Sequence, residues 1–194
     1  MRTNRLVAAA ITLAATTGPS LSDTTVSDLV GTWTTPLSEQ QALGGGASAF
    51  LRQVVVFTPV RQDLRAEVFA DPDGEVPLFT YASSGPYEPV GPSEVVDGAL
   101  NLELVNDRSE VTIFVEAPDL MAAVGMAECD LVLGEAVDVS SCISGPPFLV
   151  TDCVDLDLVL VDEGGSRLRF GDQSVDRCET RPTALDATEF RKAE

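Results

Sequence analysis

The chain has 194 residues, 44% of them apolar, with 31 acidic side chains against 12 basic ones and no histidine. That length suits a single domain, and that apolar share supports a packed core rather than wholesale disorder. A formal charge of −19 repels nucleic acid and anionic membrane surfaces, and without histidine neither a Ser-His-Asp nor a Cys-His arrangement can form.

The first residues read as an export signal, with a mitochondrial or membrane-anchor segment as the rival. Arg2 and Arg5 precede the apolar run "LVAAAITLAA" at 6–15. This run is too short to span a bilayer, which takes about 20 residues, and has the length of a signal-peptide core. Ser20 and Ser22 supply the small residues a signal peptidase reads. Residues 1–22 are therefore expected to be a signal peptide and 23–194 the mature domain. No cysteine follows the run, so a lipoprotein anchor is not indicated. No later stretch is long and apolar enough to cross a membrane. A secreted or periplasmic protein is the expectation.

Strand patterns dominate the remainder. "RQVVVFTP" is β-branched and stops at Pro59. "LRAEVFA" sets Leu64, Ala66 and Val68 against Arg65 and Glu67. "DPDGE" and "GPYEPVGPS" carry turn chemistry. "ALNLELV" places Leu100, Leu102 and Leu104 on one face, and "EVTIFVE" does so with Val111, Ile113 and Val115. "VDLDLVLVD" sets Val154, Leu156, Leu158 and Leu160 against Asp155, Asp157, Val159 and Val161, and "RLRF" adds Leu168 and Phe170. Period two with one wet face marks an antiparallel sheet over a single core. "NDRS" and "DEGG" read as hairpin turns. Only 117–128, "APDLMAAVGMAE", reads as a helix, with Pro118 in its first turn. "GGGASA" at 44–49 reads as a flexible loop, and the residues after Thr188 as a loose end. Many short strands with one helix predict an all-β, antiparallel, lipocalin-like barrel, because closing the sheet removes its exposed edges.

Cys129, Cys142, Cys153 and Cys178 are even in number, as expected of disulfides in an exported chain, and permit three connectivities. Their spacing lacks the close pairs of a zinc site, and no metal or cofactor is expected. Asp155 and Asp157 lie about 7 Å apart along one strand face; a solvated face is the expectation, with general acid–base work as the rival. Asp71, Asp73 and Glu75 are oxygen ligands of a kind calcium accepts, but no helices flank "DPDGE" as in an EF-hand, and Asp, Pro and Gly each serve a plain turn.

In order, "LVGTW", "FLRQVVVF", "ADPDGEVPLFTYASSGPYEP", "GPSEVVDGALNLELV", "CDLVLGEAVDVSSC", "LRFGD" and "RPTAL" resemble the adenomatosis polyposis coli down-regulated (APCDD) domain family. The likeness runs from 29 to about 185. The family's cysteines after G-x-W and within D-P-x-C are both missing, as loss of one bridge would leave them. The resemblance implies a bridge between Cys129 and Cys142, which leaves Cys153 for Cys178, with Cys142–Cys153 as the competitor. It also implies a secreted or membrane-tethered barrel that accommodates lipid. The Wnt-inhibiting role of the tandem-domain animal members is not carried over to a single domain.

The expected function is thus an exported, non-enzymatic barrel binding an apolar small molecule or lipid. The expected lining is Phe57, Leu102, Leu104, Ile113 and Leu158, with Trp33 near the closed end as in lipocalin-like barrels. The alternative is a filled-core module binding another extracytoplasmic protein or a glycan, which an aromatic surface patch around Tyr81 and Tyr87 would favour. A carboxylate hydrolase is the third class, and acids converging in a pocket would favour it.

Overall fold

The computed structural model describes residues 23–40, 48–143, 153–162 and 164–193. The expected signal peptide, Gly44–Gly46 and most of the "ISGPPFLVTD" loop lie outside the described residues. The strands are β1 (Gly31–Thr34), β2 (Ser38–Gln40), β3 (Ala49–Phe57), β4 (Arg61–Phe69), β5 (Pro77–Pro92), β6 (Leu100–Val105), β7 (Arg108–Ile113), β8 (Ala136–Asp138), β9 (Val154–Val161), β10 (Arg167–Phe170) and β11 (Phe190–Lys192). Two short helices accompany them, α1 (Val26–Leu29) and α2 (Pro118–Ala123).

Eight strands close an antiparallel ring in the order β1–β3–β4–β5–β6–β9–β10–β11 and back to β1. The fold is a lipocalin-like all-β barrel. β2 extends the edge of β3 beyond β1, and β7 and β8 extend from β5. Residues 189–193, expected to be loose, are not. Phe190–Lys192 pairs with both β1 and β10 and so closes the ring, with Phe190 buried. Three residues show too little alternation to announce a strand, and only the two flanking edges create it.

Two turn readings are also corrected. "NDRS" is not a hairpin, because β6 and β7 do not pair with each other. They run in line along one edge of β5, β6 opposite Tyr87–Pro92 and β7 opposite Phe79–Ser84. "GPYEPVGPS" belongs largely to β5, whose length of 16 residues makes room for both partners. Pro89 is accommodated at a bulge between Pro89 and Gly91, where a missing N–H costs little. At the β6–β7 junction the backbone passes so close that a Cβ on Gly85 would sit 1.6 Å from the Val105 carbonyl oxygen. Asn106 and Asp107 fasten this junction to the start of β4. Gln62 Nε2 donates to Asn106 Oδ1 at 3.0 Å, and the Arg61 guanidinium holds both Asp107 oxygens at 3.0 Å.

"DPDGE" joins β4 to β5 as a turn. Asp71 Oδ1 accepts from the N–H groups of Asp73 and Glu75, and Oδ2 from that of Val76 at 2.6 Å. These backbone donors hold its carboxyl below the usual range. "DEGG" lies between β9 and β10, which do pair. The expected helix is shorter than its pattern, ending at Ala123 before the Gly125 turn, and α1 was not anticipated. Its four residues are too few to show a period.

Opposed residues of an antiparallel pair share a face, so the registers fix the barrel interior. Leu100, Leu102 and Leu104 point inward as their alternation predicts. β9 is inverted relative to expectation. Leu102 stands opposite Asp157, Leu104 opposite Asp155, and Leu168 opposite Val161, so Asp155, Asp157, Val159 and Val161 face inward. Leu158 and Leu160 lie outside, where Ala99, Val96 and Leu185 cover them. The strand had two apolar faces, and loop residues supply cover for the outer one.

Two apolar clusters fill much of the interior. One joins Leu29, Trp33, Phe57, Tyr87, Leu102 and Leu168. Trp33 Nε1 donates to the Leu29 carbonyl at 2.7 Å, and the Phe57 ring meets Tyr87 edge-on at 5.4 Å. The other packs Met121, Val124 and Met126 of the α2 region against Phe79, Val111 and Ile113. The segment after α2 is closed by a disulfide between Cys129 and Cys142.

Candidate functional site

Between the two clusters lies a cavity of about 220 Å³. Its wall is largely apolar, with Val55, Leu64, Val68, Phe79, Leu104 and Phe170 among its side chains. Every one of these except Phe170 and Leu104 comes from β3, β4 or β5, whose inward positions alternate with outward polar ones such as Arg52, Arg65 and Glu67. Gln173 and Thr188 line the cavity and are also exposed, so it reaches solvent at the segment between β10 and β11.

Of the residues expected to line a pocket, Leu104 does so. Trp33, Phe57 and Leu102 belong to the packed cluster at one end, Ile113 lies in the α2 cluster, and Leu158 is on the outer face under the loops. Tyr81 and Tyr87 are both buried, so they form no surface patch.

The polar part of the cavity comes from residues the hydrophobic pattern placed outside. Asp155 and Asp157 are 3% and 1% exposed and both line it. Asp157 is fully engaged. Its Oδ1 accepts from the N–H groups of Leu158 (2.7 Å) and Gly171 (3.0 Å), and its Oδ2 takes the Arg177 Nη1 donor at 2.5 Å. Asp155 is less well held. Its Oδ2 stands 3.4 Å from Arg177 Nη2, and its Oδ1 is buried with no hydrogen-bond partner among the described residues. Burial pushes both carboxyl groups upward. Asp155, with Arg177 as its main offset, is pushed up to about 7.

Arg177 is placed by its neighbours. The Leu156 N–H donates to its carbonyl at 2.9 Å, and a disulfide joins Cys153, at the mouth of β9, to the adjacent Cys178. Arg181 Nη1 donates to the carbonyls of Leu102 and Asp157, and its Nη2 lies 3.7 Å from Glu103. Space here is tight. A Cβ on Gly171 would fall 2.7 Å from both Asp157 Oδ1 and the Pro182 ring. A sequence signal for this site did exist, in two acids alternating with leucines plus an Arg beside a Cys, but it was equally the signal of a wet strand face.

Among the described residues no three His, Cys, Asp or Glu side chains converge to hold a metal ion, and no helix is long and apolar enough to cross a membrane. No protein-family model matches the chain, and no curated protein matches it significantly.

Proposed function

We propose that this is an exported binding barrel, secreted or periplasmic, that holds a small, mainly apolar ligand between its two interior clusters. The observation that carries the reading is the cavity itself. Well-packed interiors hold few voids larger than a water molecule, whereas about 220 Å³ is roughly seven waters' worth at liquid volume. It lies below the ~300–1,000 Å³ of drug-sized sites and above the ~150 Å³ that suffices for benzene in an apolar cavity, so a ring with a short tail fits better than a long acyl chain. The two disulfides suit an oxidising compartment. Membership of the APCDD family is part of this proposal, supported by the order of motifs and by the Cys129–Cys142 bridge.

Titration with alkylbenzenes of increasing length, read by calorimetry and by the rise in Tm, tests the reading. Binding should be strongest for short tails, and Ala66→Leu, which fills the lining from β4, should abolish it in a folded protein. A folded wild-type protein that binds none of the series refutes the proposal.

One observation favours a second reading. Two acids do converge in the cavity, and a carboxyl near 7 suits general acid–base work. Against a hydrolase, Asp157 already spends both oxygens on Arg177 and two backbone donors. Turnover of aryl glycosides or esters that Asp155→Asn abolishes would put this reading first.

A further inference from the structure

Resting on the ligand-cavity reading, we infer that the barrel's ligand carries a protonated amine, and that the amine docks on Asp155 Oδ1 while the apolar body fills the space toward Phe79 and Val68.

The geometry has three parts. The first is an unpartnered acceptor. Asp155 is 3% exposed, lines the cavity, and leaves Oδ1 without a donor among the described residues. Oδ1 is already shut off from solvent without a hydrogen bond; a hydrocarbon ligand leaves that bond unmade, whereas an ammonium that reaches the carboxylate supplies a charge-assisted one.

The second is the local charge. Asp157, two residues along the same strand, faces the cavity, and so does Asp186 from the loop before β11. Arg177 is the one cation lining the cavity among the described residues, and it is divided between Asp155 and Asp157. Arg181 is turned to two carbonyls and Glu103. β6 presents apolar Leu104 opposite Asp155, β10 presents Phe170 and β11 presents Phe190. The Tyr81 hydroxyl is held by Ser109. Three carboxylates against one shared guanidinium leave the site short of positive charge. A carboxylate-headed ligand such as a fatty acid would be repelled.

The third is the amphipathic division of the wall. The charged lining residues, Asp155, Asp157, Arg177 and Asp186, come from β9 and the segment after β10, whereas β3, β4 and β5 contribute Leu51, Val68 and Phe79 with the uncharged Gln53 and Gln62, so one side takes a cation and the other carries no charge.

Three near-isosteric probes test this by calorimetry on the disulfide-bonded protein: 2-phenylethylamine, propylbenzene and 3-phenylpropanoate. At pH 8 the amine should bind at least tenfold tighter than propylbenzene, and the acid should not bind measurably. Docking needs the ionised carboxyl. With Asp155 at about 7, amine affinity should fall roughly 30-fold from pH 8 to pH 5.5 as the competent fraction falls. Propylbenzene affinity should hold constant, and amine binding near pH 7 should release protons, seen as a buffer-dependent heat. Asp155→Asn should erase the amine's advantage and keep propylbenzene binding; if that variant does not fold, the pH profile of the wild-type protein decides. Propylbenzene binding as tightly as the amine, or an amine affinity indifferent to pH, overturns the inference and leaves the cavity reading standing. Failure of all three probes on folded protein overturns both.

Discussion

A protein without histidine offers an unusually clear window between pH 5 and pH 8. Its four cysteines are in disulfides. Asp28, Asp71, Asp107, Asp138, Asp162 and Asp172 all have lowered values, so their contribution is present above about pH 4 and is lost only as pH falls below it. The two raised carboxyl groups, Asp155 and Asp157, act in the opposite sense. A carboxyl with a raised folded value binds its proton more tightly in the native state, so stability falls as pH rises from the unfolded value toward the folded one. For Asp155 the rise from 3.8 to about 7 amounts to about 4 kcal/mol when fully expressed, at 1.36 kcal/mol per unit. Roughly 2.5 kcal/mol of that falls between pH 5 and pH 8, and Asp157 adds in the same direction. At a urea m-value of about 2 kcal/mol/M, the unfolding midpoint should drop by about 1.2 M across this range. Asp155→Asn removes one of the two titrating groups and should leave a shallower slope, with the variant gaining on the wild type as pH rises. Any other group that titrates in this window does so in both proteins and cancels in the comparison. Urea melts at pH 5, 6, 7 and 8, with constant m, provide the measurement. A wild-type stability that is flat or rising across the window, or an Asn variant with the full wild-type slope, refutes the placement of Asp155 inside the barrel.

Arg177→Gln leaves Asp157 and Asp155 buried without their cation, and should cost about 3–5 kcal/mol at pH 8 and visibly less at pH 5, by the same urea melts. Gly171→Ala drives a methyl group into Asp157 Oδ1 and the Pro182 ring and should cost about 1–3 kcal/mol as overpacking. Phe190→Ala removes the inward anchor of the closing strand, and a loss of about 3–5 kcal/mol in chemical denaturation is expected; a near-neutral result would mean that β11 does not seal the barrel. Non-reducing peptide mapping should recover Cys129–Cys142 and Cys153–Cys178, and a peptide linking Cys142 to Cys153 would contradict the fold around the cavity.

The class of fold was legible because alternation is a local property. β4, β6 and β10 each carry one apolar and one polar face, and for β6 the choice between Leu102 and Glu103 as the inward residue is forced by solvation alone. Closure was not legible. β11 contributes Phe190 and little else, and its pairing with β1 joins residues more than 150 positions apart. The in-line arrangement of β6 and β7 was hidden for a related reason. Whether Asn106 and Asp107 turn the chain back or merely step it depends on the length of β5, and that strand is interrupted by prolines which, read locally, argue for a turn.

β9 shows where a hydrophobicity rule stops deciding. Its alternatives were a face of Val154, Leu156, Leu158 and Leu160 or a face of Asp155, Asp157, Val159 and Val161, and counting apolar groups selects the first. The structure adopts the second, because hydrophobic burial does not require the barrel interior. Leu158 and Leu160 are covered by Ala99, Val96 and Leu185 on the outside, at no loss of the roughly 1.5–3 kcal/mol each leucine contributes when buried. The carboxylates turned inward instead carry a desolvation cost that Arg177 offsets only in part, and Asp155, unlike Asp157, also leaves one oxygen without a hydrogen bond among the described residues. A local rule broken with incomplete compensation is a mark of function more often than of stability. If Asp155 served stability alone, Asn or Leu would serve as well at that position. The test is direct: Asp155→Leu should raise stability at pH 8 if it packs against Leu104, while removing the preference for an amine probe. Retention of that preference by a folded Leu variant would detach ligand choice from the carboxylate and send it back to the shape of the apolar wall.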